Sequence, residues 1–133
     1  MSNFEGLDHI DIVVADIERM AAFFQTVGFT VVRRTEHGGG AVELRFPGPG
    51  HQPILELTSA RDAKGNARPL GLRHMALRSA DIQQTFTEFS DRAMPLKGGP
   101  RQIAETGRTL INLADPEGGT LQIVDGKDAP PHP

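Results

Sequence analysis

The sequence contains no cysteine, so a disulfide framework, a thiolate metal ligand and a cysteine nucleophile are all excluded. Any metal ion would therefore be bound by nitrogen and oxygen atoms. Tryptophan and tyrosine are also absent, and the seven aromatic residues are all phenylalanine. This composition disfavours a protein whose main task is to clamp planar ligands between amphipathic aromatic rings.

The sequence also lacks a long apolar run, a basic stripe and a start typical of a secretory signal. Its formal net charge is −3 and its lysines and arginines are scattered, which gives little attraction for nucleic acid or anionic lipid. We therefore expect a cytoplasmic protein that acts on a small molecule and binds neither nucleic acid nor membrane. Its 133 residues fit one domain.

An internal repeat organises the chain. Residues 7–17 and 72–82 share the pattern Leu-x-His-(x)5-Ala-Asp-Ile at an offset of 65 residues, which places His74 at the position of His9. In each copy an apolar stretch precedes an aspartate, Asp16 or Asp81, that is suited to cap a helix. The repeat therefore predicts two modules, each with a strand, a helix and three further strands.

The predicted modules cover about residues 6–58 and 71–125 of a single domain. Residues 59–70 are interpreted as a linker, and residues 126–133 as a poorly ordered tail. The strands after each helix are predicted at 29–35, 41–46, 52–58, 101–105, 108–114 and 120–125. The apolar stripe of the first helix is predicted at Ile17, Met20, Ala21, Phe24 and Val27, and that of the second at Ile82, Phe86 and Phe89.

Side chains alternate between two faces along a strand, which separates a predicted core face from a predicted pocket face. The core face is expected to hold, among others, Ile10, Ile12, Leu55, Leu57, Met75 and Leu77. The pocket face is expected to hold His9, Glu56, His74 and Gln122. The same face receives Asp11, Glu43, Arg45 and Asn112, which are candidate substrate contacts.

These residues resemble a known group, the superfamily of glyoxalase I, bleomycin-resistance proteins and extradiol dioxygenases, also called vicinal oxygen chelate proteins. The resemblance spans about residues 6–125. It rests on Leu-Asp-His-Ile with Ala-Asp-Ile, Ile-Leu-Glu-Leu-Thr, Leu-Arg-His-Met-Ala-Leu and Asp-Pro-Glu-Gly-Gly-Thr-Leu-Gln-Ile. It implies an α+β fold in which two tandem βαβββ modules form a curved eight-stranded mixed sheet with helices outside, and it implies a homodimer.

The resemblance also implies one divalent metal ion held by strands 1, 4, 5 and 8. The matching residues here are His9, Glu56, His74 and Gln122, a nitrogen and oxygen set suited to Zn, Ni, Co, Mn or Fe. Bacterial glyoxalase I has the order His, Glu, His, Glu, so this chain differs at Gln122. With one carboxylate instead of two, the ion keeps a formal charge near +1 and is a stronger Lewis acid.

The implied activity is that of a metal-dependent enzyme resembling glyoxalase I, a lyase or isomerase that acts through a metal-stabilised enediolate. Glu56 is the residue expected to move the proton next to the carbonyl. Glyoxalase I carries a glutathione-binding Arg and Asn four residues after its first and second ligands, where this chain has Val13 and Ala60. A glutathione hemithioacetal is therefore not the expected substrate.

Two other functions stay open on the sequence. One is a metal-free binding or resistance protein, because histidines on related strands also occur as packing residues. The other is a ring-cleaving dioxygenase with a ferrous ion on two histidines and a carboxylate. The usual carboxylate of that class lies where this chain has Gln122, which ranks it lower.

Overall fold

The computed structural model describes residues 3–104 and 106–126 of the chain. The strands are β1 (Phe4–Val14), β2 (Thr30–Thr35), β3 (Ala41–Arg45), β4 (Ile54–Ser59), β5 (Gly71–Ser79), β6 (Arg101–Gln102), β7 (Thr109–Ala114) and β8 (Thr120–Asp125). The helices are α1 (Ile17–Val27) and α2 (Ile82–Asp91), and a 3₁₀ turn (His37–Gly39) joins β2 to β3. No helix within these described residues is long and apolar enough to cross a bilayer.

All eight strands belong to one mixed sheet with the order β2-β3-β4-β1-β5-β8-β7-β6. In each module the first strand is parallel to the fourth, and the fourth is antiparallel to the third. The predicted α+β class and its two βαβββ modules are therefore confirmed. The described chain divides into two compact units, one of residues 9–73 and one of residues 3–8 with 74–126.

The predicted strand ends are displaced by only one or two residues, except in β6. The sequence predicts this strand over 101–105, but it covers only Arg101–Gln102. The chain turns immediately afterwards, because Ile103 donates its amide hydrogen to the Arg108 carbonyl and accepts one from Gly107. Residue 105 and most of the predicted tail, 127–133, lie outside the described residues.

Helix α1 begins and ends where the sequence predicts. The Asp16 carboxylate accepts a hydrogen bond from the Arg19 amide at 3.0 Å, which satisfies one free donor of the first turn. Gly28 ends the helix with a φ of 124°, a backbone conformation that favours glycine. The assignment of Val27 to the core is wrong, because the side chain of this last helical residue is 58% exposed.

The core of residues 9–73 lies between α1 and one face of β1, β3 and β4. Its buried members are Val14, Ala21, Val42, Leu44, Leu55 and Leu57, with Ile10, Ile12 and Phe24 packed against them. Strand alternation accounts for this set, because its members on each strand are two residues apart. The predicted core face of these strands is therefore confirmed, and the opposite face carries polar residues such as His9 and Glu56 together with the apolar Val13 and Ile54.

The second unit has its own core around α2. Ile82 and Phe89 are buried with residues of β7 and β8, and Leu77 packs against them. The sequence also predicts Met75 in the core, and this prediction is wrong because Met75 is 47% exposed. The core under α2 reaches Leu77 and ends before Met75. Asp81 caps the helix by accepting from the Gln84 amide at 3.1 Å.

A buried ionic network lies inside the second unit, around Asp8 of β1. Asp8 is 2% exposed, and its two carboxylate oxygens accept hydrogen bonds from Arg78 and, twice, from Arg108. Arg108 also donates to the backbone carbonyl of Asp125 at 2.8 Å. Both arginine side chains are 14% exposed. Asp8 is therefore shared by two largely buried positive charges, and the Asp125 carboxylate lies 3.7 Å from Arg108 as a second acid.

Replacing Asp8 by asparagine should strongly destabilise the protein. The change leaves Arg78 and Arg108 largely buried without their shared negative charge, an imbalance that costs about 3 kcal/mol or more in such sites. Urea unfolding measures the loss. The control is Asp91→Asn on an exposed helix end, which should change the free energy of unfolding by about 0.5 kcal/mol or less. Equal effects of the two changes would contradict the assignment.

Candidate metal site

The register of three neighbouring strands aligns three acidic side chains on one face of the sheet. Asp11 of β1 pairs with Glu56 of β4, and Glu56 pairs with Glu43 of β3. Residues paired in this way point to the same side of the sheet, with Cβ atoms about 5 Å apart. His9 precedes Asp11 by two residues and shares its face. We call this side of residues 9–73, defined by His9, Asp11, Glu43 and Glu56, the polar face.

His9, Glu56 and His74 form a group of potential metal ligands. One ligand atom of each lies within 4.8 Å of the other two, and His9 Nε2 is 3.9 Å from Glu56 Oε1. The side chains of His9 and Glu56 are only 12% and 17% exposed. Two imidazole nitrogens and a carboxylate oxygen are typical ligands of zinc and of divalent transition metals. These residues therefore fit the ion that the family resemblance implies.

The electrostatics of Glu56 favour a positive partner. Burial and then the charge of Asp11 raise the pKa of Glu56 from 4.5 to about 8; His9 and Arg73 act in the opposite direction, and Glu43 adds to the rise. A carboxyl group with this environment holds a proton at neutral pH unless a cation replaces it. A divalent ion would remove the repulsion that the neighbouring carboxylates cause.

Asp11 is held in place on both carboxylate oxygens. The Thr58 hydroxyl donates to Oδ1 at 2.6 Å, and Arg73 Nη1 donates to Oδ2 at 3.1 Å. Asp11 itself is 0% exposed. Both of its oxygens are therefore engaged by protein groups. The role of Asp11 as a substrate contact stays a prediction. The sequence reasoning missed Arg73 and Thr58, although Thr58 lies two residues after Glu56 and so shares its face.

The second unit repeats this register with less charge. Ala76 of β5 pairs with Gln122 of β8, and Gln122 pairs with Asn112 of β7. Gln122 is 9% exposed, and its amide nitrogen donates to Asn112 Oδ1 at 3.3 Å. His74 precedes Ala76 by two residues and so shares its face. This hydrogen bond uses the amide nitrogen of Gln122, whereas a metal would bind the amide oxygen. The ligand role of Gln122 therefore stays a prediction.

The remaining candidates lie at the positions that alternation predicts. Glu43 is partly buried next to Glu56, and Arg45 is exposed at the end of β3. Arg33 was missed; it is 5% exposed and pairs with Glu43 on the polar face. Alternation along β2 alone does not reveal this, because the register shifts between Val31 and Arg33.

The sequence matches the profile of the Glyoxalase/Bleomycin resistance protein/Dioxygenase superfamily over residues 6–123. The chain belongs to this superfamily. The match includes both modules and all four residues that the sequence reasoning assigned to a metal. No curated protein sequence shows significant similarity to this member of the glyoxalase superfamily.

Several solved structures share the fold of this glyoxalase-superfamily protein. A variant of the Streptomyces coelicolor methylmalonyl-CoA epimerase, in complex with 2-nitronate-propionyl-CoA, is 20% identical with a TM-score of 0.76, covering 94% of this chain and 99% of its own. The Mycobacterium tuberculosis methylmalonyl-CoA epimerase is 19% identical with a TM-score of 0.76, and the match covers 96% of this chain and 92% of the epimerase. A methylmalonyl-CoA epimerase in complex with methylmalonyl-CoA and NH4+ is 19% identical with a TM-score of 0.76, and the match covers 97% of this chain and 99% of that protein. At these identities the likeness concerns the fold.

Replacing Glu56 by glutamine tests the electrostatics of the metal-free protein. Between about pH 4.5 and 8 the unfolded chain has lost the Glu56 proton while the folded protein keeps it, so wild-type stability falls as the pH rises. The variant lacks this loss. In the presence of EDTA, the Tm of Glu56→Gln relative to wild type should therefore increase across this range and level off above it.

Thermal unfolding followed by circular dichroism at several pH values gives the comparison. Glu117→Gln, at an exposed turn, is the matched control and should show a constant difference from wild type. A difference for Glu56→Gln that is equally flat would contradict the raised pKa.

Proposed function

We propose that this protein is a metal-dependent isomerase or lyase that moves a proton at a carbon atom next to a carbonyl group of a small molecule. The observation that carries the proposal is the convergence of ligand atoms from His9, Glu56 and His74 within 4.8 Å. Membership of the glyoxalase superfamily supports it. The fold shared with methylmalonyl-CoA epimerases favours an isomerase, because removal and return of a proton is a direct route to epimerisation.

The proposed ligands of the ion are His9, Glu56, His74 and Gln122. A bound divalent ion of Zn, Ni, Co, Mn or Fe would supply a Lewis acid that polarises a carbonyl oxygen and acidifies the neighbouring C–H bond. Only one of the four ligands carries a negative charge. The remaining formal charge, near +1, favours a substrate with anionic oxygen atoms.

Glu56 is the proposed acid and base. Its carboxylate lies between those of Asp11 and Glu43 in the sheet register, and their charges favour the protonated form of Glu56. These neighbours therefore help Glu56 to hold a proton taken from the substrate until the proton is returned. Glu43 is on the same face at the adjacent position, and we propose that it contacts the substrate together with Arg45 and Asn112.

Glutathione adducts are not the proposed substrates. The position that carries a glutathione-binding arginine in glyoxalase I is occupied by Val13, which is 4% exposed. The corresponding asparagine position holds Ala60, which is also apolar. Neither side chain has a group that binds the carboxylates of glutathione. A homodimer and a cytoplasmic location remain predictions from the sequence.

Proton exchange with solvent tests the proposed reaction. Protein loaded with Co, Ni or Zn is incubated in D2O with methylmalonyl-CoA, and loss of the proton on the carbon between the two carbonyl groups is followed by NMR. We expect exchange above the uncatalysed rate, abolished by EDTA and lowered about 100-fold or more in Glu56→Gln. Metal analysis of each sample separates loss of the base from loss of the ion.

Glu117→Gln serves as the control and should keep the wild-type rate. Exchange that persists in EDTA or in Glu56→Gln would contradict the proposed roles. Protein that binds no divalent ion and catalyses no exchange would instead favour the metal-free binding alternative.

A further inference from the structure

Arg73 brings a positive charge to the polar face. It donates from Nη1 to Oδ2 of Asp11 at 3.1 Å, and Asp11 is the register partner of Glu56. The guanidinium is therefore one carboxylate away from Glu56, close enough that its charge lowers the Glu56 pKa. Arg73 precedes the proposed ligand His74 directly in the sequence. Its position is thus part of the surroundings of the proposed metal site.

The contact with Asp11 fixes this guanidinium, although the Arg73 side chain is partly exposed. Asp11 is fully buried and anchored by Thr58, so it is a rigid partner. Arg73 is 37% exposed, and within the described residues it makes one hydrogen bond. A guanidinium has five N–H donors in a planar fork that matches carboxylate and phosphate oxygens. Most of these donors therefore make no hydrogen bond within residues 3–104 and 106–126.

The repeat shows that Arg73 differs from its counterpart in the first module. Asp8 occupies the equivalent position directly before His9, and it is 2% exposed with both oxygens bound by arginines. That position in β1 is thus used entirely for internal pairing. In β5 the same position carries the opposite charge and is half-exposed. The two equivalent positions therefore differ in both charge and exposure.

The charges on the polar face also favour an anion. Among the acidic side chains, Asp11 is paired with Arg73, and Glu43 has the buried Arg33 as its register partner. The charge of Glu56 is balanced by the proposed divalent ion, whose formal charge of +2 exceeds the −1 of one carboxylate. The face with its ion therefore carries a net positive charge, which attracts anionic ligands.

We propose that Arg73 is a specificity-determining residue that binds a second anionic oxygen group, a carboxylate or a phosphate, on the substrate. This inference rests on the proposed function, in which the ion binds the reacting carbonyl end. The guanidinium then holds the other end of the molecule and orients the carbon atom that loses its proton towards Glu56. The substrate class is a small carbonyl compound with an additional anionic group.

Calorimetric titration of zinc-loaded protein tests this role without relying on activity. The probes are malonate, phosphonoacetate and the neutral malonamide, which has the skeleton of malonate without its charges. We expect Arg73→Gln to weaken the binding of at least one anionic probe about tenfold or more and to leave malonamide within twofold of wild type. The anionic probe with the larger loss identifies carboxylate or phosphate as the preferred group.

Two further variants separate binding from folding. Arg73→Lys keeps the charge but loses the planar fork, so it should retain part of the affinity, and it carries the test if Arg73→Gln does not fold. Arg101→Gln, an exposed arginine on β6, should leave all affinities unchanged. A purely structural Arg73 would instead change Tm and affect the charged and neutral probes equally, which would overturn the proposal.

The result also distinguishes this inference from the proposed function. If zinc binds and the anionic probes do not distinguish wild type from both Arg73 variants, the role of Arg73 is wrong while the metal site stands. If zinc does not bind, the proposed function fails, and the same titrations of metal-free protein decide the role of Arg73. A tenfold loss there would support it, and equal affinities would overturn it.

Discussion

The alignment of Asp11, Glu56 and Glu43 across three strands is the constraint on which the site depends. Three carboxyl groups side by side on a largely buried face repel one another, and the repulsion has to be relieved by protons or by positive charge. The chain supplies part of that charge through Arg73 and, beside Glu43, through Arg33. With its pKa raised to about 8, Glu56 holds a proton at neutral pH in the metal-free protein. His9 and His74 add two nitrogen ligands for an ion that would displace this proton.

The repeat and the alternation of side chains predict the two modules and the faces of the main strands, while the single eight-stranded sheet is implied by the family resemblance. Both signals are local: a period of two assigns a face, and His9 and His74 recur in the same local pattern. The predicted positions of Met75 and Val27 failed because alternation and helical period do not show where the opposing layer ends. The core around each helix stops before it covers these two residues.

The ion pairs could not be predicted in the same way. Asp8 with Arg108, and Asp11 with Arg73, join residues that are far apart in sequence, and alternation places Asp8 and Arg73 on the face opposite to the neighbouring histidines. Their side chains reach their partners only through the three-dimensional course of β1 and β5. The repeat nevertheless makes the result interpretable, because one position carries a buried acid in the first module and a half-exposed base in the second.

The most direct test of the central claim is the number of protons released when zinc binds. Calorimetry in buffers of different ionisation enthalpy measures this number for wild type and for Glu56→Gln near pH 7, below the Glu56 pKa of about 8. If the ion replaces the Glu56 proton, the wild type releases about one proton more than the variant, and the difference disappears well above that pKa. Equal proton release by the two proteins at neutral pH would contradict the account.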